Sequence, residues 1–477
     1  MAQGLQGNSF SVINNAAISI LVLVGALTLI AGAVDFYCHR RYAMASDRPR
    51  FWVVTLMGLS YAVLIPGLFT TLFSFYIGAV GAIELKSFTD NMMSFAKLLA
   101  DTGGWFGCIL VLSFSVFVPV LKVVLMVLSE AWRHKEDERR RIWSRRMMLF
   151  VKAISKWACP DIFAYILMLY LVRSLEKPPT LNGRMRLDIG FLCSSVFSLG
   201  TTIASLGVRM PPPIESHAKS HQSQKVPFLG FWVALLFLGF AALLGTGITE
   251  PSMSLRLDMN AVYNNPLVAE DMQDFVAALD LPSLANADVS IANCLEALGG
   301  WIRYGEVTSF VSWVMIAFFV VALTIVDMVV LLIIALKVQF GKDDPNLVHW
   351  KTAAGMLKNT SMLDGYIVGV AVVVFSGKIY EAEGLILGME NGLALLLGAE
   401  LCHYAAFFLV TGCLRCDNWR AEALPSPEAE VHPLTPTAEE IGKQVSESDF
   451  GPTGDDLKAV EYVAEQFKSS SDVAILP

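Results

Sequence analysis

Residues 51–76 read FWVVTLMGLSYAVLIPGLFTTLFSFY, an uncharged stretch long enough to cross a bilayer, and residues 231–248, FWVALLFLGFAALLGTGI, open on the same Phe-Trp-Val. The offset between Phe51 and Phe231 is 180 residues. Further along, Lys122 aligns with Asp327, Asp161 with Asp364 and Gly190 with Gly392, at offsets of 205, 203 and 202. A single jump in offset places about 25 additional residues in one loop of the second copy. Duplicated apolar segments are a common building plan of membrane transport proteins, whose working sites lie where the copies meet.

Composition points the same way. Of the 477 residues, 55% are hydrophobic and 16% charged, and the mean hydropathy is +0.56. This excludes an ordinary soluble domain and any nucleic-acid partner. About 20 apolar residues span the hydrocarbon core, at a rise of about 1.5 Å each across about 30 Å. Nine segments qualify, near residues 13–37, 51–76, 105–128, 157–175, 187–208, 228–248, 310–336, 366–380 and 385–410. The expected fold is an all-α polytopic membrane protein: an extra N-terminal span and two tandem four-helix modules. The first span has no basic residue ahead of it and no small-residue cleavage site, and reads as a retained anchor.

Basic residues in alternate loops set the orientation. Arg40, Arg41, Arg48 and Arg50 follow the first span, nine Lys or Arg lie in 131–156, Arg209, Lys219 and Lys225 follow the fifth, and Lys337, Lys342, Lys351 and Lys358 follow the seventh. The opposite loops carry Glu84, Asp90 and Asp101, then a run of acids between Glu250 and Glu296, then Glu381 and Glu383. The N-terminus is expected outside and the C-terminus in the cytoplasm. Four spans per copy make the repeats parallel. The expected domains are a first span with its basic loop (1–50), a first module (51–210), a linker (211–227), a second module (228–411) with a long acidic external loop (249–304), and a disordered acidic tail (412–477).

Within 142–157, IWSRRMMLFVKAISKW, Trp143, Met147, Phe150, Val151, Ile154 and Trp157 fall at helical spacing. That pattern suits a helix lying in the membrane interface, or a solvated connector. In the tail, Leu457, Val460, Val463 and Phe467 share a face of a short helix that could dock a partner. Eight cysteines lie mostly in spans and imply no disulfide framework. Cys413 and Cys416 supply half of a zinc site at most, and are equally placed for S-palmitoylation. His217 and His221 sit in a Pro- and Ser-rich linker, where a lone pair is more often unstructured than metal-bound.

An ionisable side chain inside a span needs a partner, a cavity or an escape to the interface. Lys122 follows Pro119, whose ring kinks the third span, and Asp327 occupies the matching place in the seventh. Two readings stand: the two charges pair across the module interface, or Lys122 snorkels outward. Asp161 and Asp364 open the fourth and eighth spans as helix N-terminal acids, Ser361 and Asp364 having capping-box spacing; the functional alternative is a carboxylate at a cavity mouth. Glu400 and His403 are three apart on one helix face, able to share a proton, with Thr201 and Thr202 at the positions matching His403 and Tyr404.

Through FVPVLKVVLMVL and KWACPDIFAYILMLYLV, followed by residues 190–202, the chain resembles the paraquat-inducible protein A family. Pro119 and Lys122 match its Pro-x-x-Lys span, and Trp157, Asp161 and Phe163 its Trp-x-x-x-Asp-x-Phe motif. In the second copy Asp364 remains, while Thr324 and Asp327 replace Pro and Lys. Two departures stand out. No cysteine-rich zinc ribbon precedes Phe51 or Phe231, and the extra first span and long tail lie outside the family pattern. The resemblance implies a transport protein that handles membrane lipids with a lipid-transfer partner outside the membrane, proton coupling being a further expectation. The competing expectation is a non-transporting, tetraspan-like scaffold. No P-loop or recognisable catalytic constellation occurs, so neither enzyme activity nor a cofactor is expected.

Overall fold

The computed structural model describes residues 2–42, 50–79, 83–133, 137–174, 176, 181–208, 228–257, 286–340, 347–377 and 385–422. The linker histidines, most of the acidic loop, the tail helix and the side chains of Cys413 and Cys416 lie outside them. Residues 1–417 form one compact unit. Among the described residues, nine helical segments are long and apolar enough to cross a membrane, and they coincide with the nine read from the sequence. The chain is an integral, multi-pass, helical membrane protein.

Helix α1 (Ala2–Tyr42) carries the extra span and is followed by α2 (Phe51–Phe69). Strands β1 (Thr71–Ala79) and β2 (Ile83–Asn91) then form a hairpin. The short helix α3 (Met92–Asp101) is capped by Asn91, whose side chain accepts from the Ser94 amide. The third span is α4 (Trp105–Leu112), a π-helical segment (Ser113–Phe117) and α5 (Val118–Arg133). Next come α6 (Glu138–Ile154), a 3-10 turn (Ser155–Ala158) and α7 (Pro160–Ser174). Strand β3 (Leu181–Leu187) and α8 (Ile189–Gly207) complete this half.

The second half repeats the order. It runs α9 (Leu229–Thr249), β4 (Met253–Leu257), β5 (Ala287–Val289) and α10 (Ile291–Ile302), capped by Ser290. Then α11 (Val307–Val314), a π-helical segment (Met315–Ala322) and α12 (Leu323–Phe340) make the seventh span. Helices α13 (Leu347–Thr360) and α14 (Leu363–Gly377), strand β6 (Leu385–Met389) and α15 (Asn391–Glu422) follow.

The strands are the main departure from an all-helical expectation. The apolar stretch at 51–76 leaves the helix at Thr70, and that at 385–410 begins as β6. Apolar length does not separate a span from a strand covered on its inner face; Leu72, Phe73, Met185 and Leu187 are all buried. Two antiparallel sheets result, ordered β2-β1-β3 and β5-β4-β6. Each puts the strand after its half's first span in the middle. Ser74 Oγ donates to Asp188 Oδ2 at 2.5 Å, and Ser254 Oγ to Glu390 Oε1 at 2.6 Å, the same clasp in both sheets.

The repeat glycines now have a physical reason. A Cβ on Gly190 would lie 2.7 Å from the Thr71 carbonyl oxygen, and one on Gly392 2.5 Å from those of Glu250 and Pro251. Each marks where the last helix of its half passes over the start of the central strand.

The halves meet along α7 and α14. Phe163 and Tyr366, 203 residues apart like Asp161 and Asp364, place their rings edge to face at 6.2 Å. Gly369 lets the helices approach, since a Cβ there would stand 2.8 Å from Phe163 Cβ. At the sheet-bearing end, Arg173 grips Glu306 through two 3.0 Å bonds and lies 4.4 Å over the Trp301 ring. Helix α6 packs along α5. Ser129 and Ser144 exchange hydroxyl-to-carbonyl bonds of 2.9 and 2.7 Å. Of the apolar set, Met147 and Val151 are buried against the protein, Ile154 is half-buried, and Trp143, Phe150 and, just beyond the helix, Trp157 are exposed.

Candidate functional site

Both halves break a span at the same place. In the first, α6 tightens into the 3-10 turn and stops at Cys159, after which Pro160, suited to a first helical position, starts α7. In the second, α13 ends at Thr360, Ser361 and Met362 are non-helical, and α14 begins at Leu363. A break strands backbone groups that lipid cannot satisfy. Here the Met362 amide donates to the Phe319 carbonyl at 3.0 Å, inside the π-helical segment of the seventh span. π-Helical turns frequently accompany functional sites, and one lies in each half.

Ionisable side chains converge at the second break. His403 Nε2 lies 2.7 Å from Asp327 Oδ2. Its Nδ1 faces both Lys358 Nζ at 3.1 Å and Glu400 Oε2 at 3.2 Å. Lys358 Nζ also donates to Glu400 Oε1 at 2.9 Å. Asp327 and His403 are fully buried, and Lys358 and Glu400 nearly so. Among the described residues, Asp327 Oδ1 has no hydrogen-bond partner.

The cluster continues into the first half. Tyr404 turns its ring to Lys358, with Nζ 3.4 Å from the centroid, and donates its hydroxyl to Asp364 Oδ2 at 3.0 Å. Lys156 Nζ, at the end of the first broken helix, reaches the same Asp364 oxygen at 2.5 Å and the Tyr404 hydroxyl at 3.1 Å. Two carboxylates, a histidine and a lysine thus connect through one tyrosine to an ion pair that crosses between the halves.

The imidazole can switch partners without moving. With a single proton on Nε2 it donates to Asp327 while Nδ1 accepts from Lys358; with two protons, Nδ1 donates to Glu400. Proton exchange among these groups therefore needs no rearrangement of the helices.

At the corresponding positions the first half carries hydroxyls. Lys122, fully buried, donates to Ser155 Oγ, which also bonds Ser205 Oγ at 2.7 Å. Asp161 accepts from Ser115 Oγ at 2.7 Å and from the Ile162 amide at 2.9 Å. Ser155 stands at the 203-residue offset from Lys358, and Ser198 at the 202-residue offset from Glu400. Neither Lys122 nor Asp161 has an oppositely charged partner among these bonds.

Several expectations are corrected. Lys122 and Asp327 do not pair; each is bonded within its own half. Nor does Lys122 snorkel, because Ser155 holds its ammonium inside the fold. Thr201 and Thr202 bond the Ser198 carbonyl, and Thr202 that of Ser155, so they brace α8 and do not enter the ionic cluster. The capping box does not close: Ser361 Oγ bonds Thr324 Oγ1 at 3.0 Å, while Asp364 accepts the Gly365 amide at 2.9 Å and holds Lys156. Glu400 and His403 do share a bond, as their spacing predicts. Lys156, Lys358 and Tyr404 were legible only as loop basics and a span aromatic, since their partners come from other spans. Among the described residues, no group of three His, Cys, Asp or Glu side chains could hold a metal ion.

In the first half a lateral cleft of about 220 Å³ opens between α2 and the third span. Tyr61, Leu64 and Leu68 form one wall, Ser115, Pro119 and Val120 the other. Both hydroxyls are already used, Tyr61 donating to the Pro119 carbonyl at 3.0 Å and Ser115 to Asp161. In the second half α9 instead packs on α12, where the Gly230 amide donates to Gln339 Oε1 at 2.6 Å.

Broken spans with paired charges at the breaks define a polytopic membrane protein built around a buried polar centre. Residues 56–206, a stretch that contains Pro119, Lys122 and Asp161, match the family model described as Paraquat-inducible protein A, so this part of the chain is similar to that family. A curated relative from Haemophilus influenzae, described as a probable intermembrane transport protein, is 26% identical over 121 residues, covering 25% of this chain and 27% of the relative. The matched region is thus about a quarter of that protein's length. No solved structure matches the chain.

Proposed function

We propose that this chain is a membrane transport protein that moves lipid and couples the movement to protons. The observation that carries the reading is His403 held between two carboxylates and a lysine at a helix break, inside a bilayer-spanning fold. Ionisable groups kept there at a cost of several kcal/mol mark proton and substrate pathways more often than structural joints. Support also comes from the match to the paraquat-inducible protein A family and from the relative named for intermembrane transport. In this reading the two four-span halves are parallel modules, the lateral cleft admits apolar chains, and the sheet-bearing ends face a lipid-transfer partner outside the membrane.

The test is purified protein reconstituted in vesicles with fluorescent phospholipid and an internal pH dye. Lipid movement that drives proton flux, with both lost in His403→Gln and Asp327→Asn, is the expected result. A second reading, a non-transporting scaffold, is favoured by the complete burial of Asp327 and His403. Purification from native membrane with mass spectrometry separates the two: selective enrichment of one lipid class supports transport, whereas a protein assembly without lipid selectivity supports the scaffold.

A further inference from the structure

The N-terminal span, which lies outside the family match, is tied at both ends to different halves of the molecule. Near its start, Asn14 Nδ2 donates to the Gly305 carbonyl at 2.7 Å and Asn14 Oδ1 accepts the Val307 amide at 3.4 Å. These groups belong to the turn that opens the seventh span. At the other end, Asp35 accepts the Phe51 and Trp52 amides at 2.9 and 2.7 Å, through one carboxylate oxygen each. Those are unpaired donors at the N-terminus of α2, where Arg50 provides no side-chain cap. A carboxylate there also answers the positive end of the helix dipole.

Asn14 and Asp35 are 21 residues apart, about 31 Å along a helix, which is the thickness of the hydrocarbon core. Two polar anchors are therefore placed at opposite edges of the membrane. Between them the helix packs through a single face, Ala17 and Val24 clustering with Val53 and Leu56 of α2 and Leu192 of α8. Ala17, Val24 and Ala31, seven residues apart, are buried toward the protein, while Val22, Leu23, Leu29 and Ile30 on the other sides are more than half exposed. A helix retained only by its apolar face would not need both ends fixed.

We infer that α1 is a strap, joining the start of α2 in the first half to the start of the seventh span in the second. The two places it joins matter. Helix α2 forms a wall of the lateral cleft, and the turn at Gly305–Val307 also contains Glu306, the partner of Arg173 from α7. Tension in the strap would hold α2 in place and limit how far the halves swing apart. This inference does not depend on the transported molecule.

Hydrogen exchange on the full chain in lipid nanodiscs tests it. Asp35→Leu should speed exchange at the Phe51 and Trp52 amides by about fivefold or more, the effect of losing a helix cap. It should also speed exchange at Val307, at the far end, while the Thr70 amide, held by the Pro66 carbonyl, stays unchanged. Asn14→Leu should produce the mirror result. Asp35→Asn, which keeps one acceptor oxygen, should fall between wild type and Asp35→Leu, and serves if the leucine variant does not fold. Acceleration confined to the altered end would overturn the strap, leaving two independent caps; no acceleration at either end would overturn the anchoring itself.

Discussion

A lysine sealed in a membrane protein is costly in a way that depends on its neighbours. Lys358 sits between Glu400, His403 and the Tyr404 ring, so removing its charge strands a buried carboxylate. Breaking such a pair costs about 3–5 kcal/mol. Among the described residues, Lys122 has a hydrogen bond to the neutral Ser155 hydroxyl to lose and no salt bridge. We therefore expect Lys358→Met to lower the thermal unfolding temperature in detergent strongly, and Lys122→Met to leave it unchanged or raise it. Equal destabilisation by the two would mean that Lys122 has an ionic partner. At this scale the sequence exposed the candidates and not their pairings. Glu400 and His403 were recognisable together because three residues on a helix is a contact distance. Asp327 and His403 are 76 residues apart, and nothing local joins them.

Among elements, the sequence specified the spans and concealed their ends. Apolar length located all nine spans, because the bilayer imposes one thickness on all of them. It could not report that the stretch at 51–76 turns from helix to strand at Thr70, since a strand covered by protein is as apolar as a span. The breaks at Cys159 and Ser361 were half visible, through Pro160 and through an acid at the start of each following helix. Gly190 and Gly392 appeared only as aligned letters, until the crossing of helix over strand explained them. Gly190→Ala and Gly392→Ala should each push a helix off its sheet, at about 1–3 kcal/mol or more for an overpacked contact. The matching substitution at Gly25, with open space beside it, should cost nothing and serve as the control in the same thermal melts.

At the scale of the whole molecule, charged contacts cross between the halves, among them Arg173 to Glu306 at the sheet-bearing end and Lys156 to Asp364 at the helix breaks. If the chain moves lipid as proposed and the second contact couples its halves, Lys156→Asp and Asp364→Lys should each abolish that movement in vesicles, and the combined exchange should restore part of it. Failure of the double variant, with each single variant still folded, would assign Asp364 a role beyond attracting Lys156. The repeat in the sequence matches a repeated order of helices and strands. It did not show that the seam runs through α7 and α14, because small and aromatic residues in spans face lipid and protein alike.

The bond from Lys156 to Asp364 is also one-sided. At the 203-residue offset, Lys156 corresponds to Asn359 and Asp364 to Asp161. A dimer of two identical halves would close this contact twice; here it closes once, and Asp161 makes do with a serine. The fused chain consequently has a polarity that no symmetric dimer possesses: one half lends charge and the other receives it, so the copies are not interchangeable, and the second half, with Asn359 in place of Lys156, could not rebuild this contact by itself.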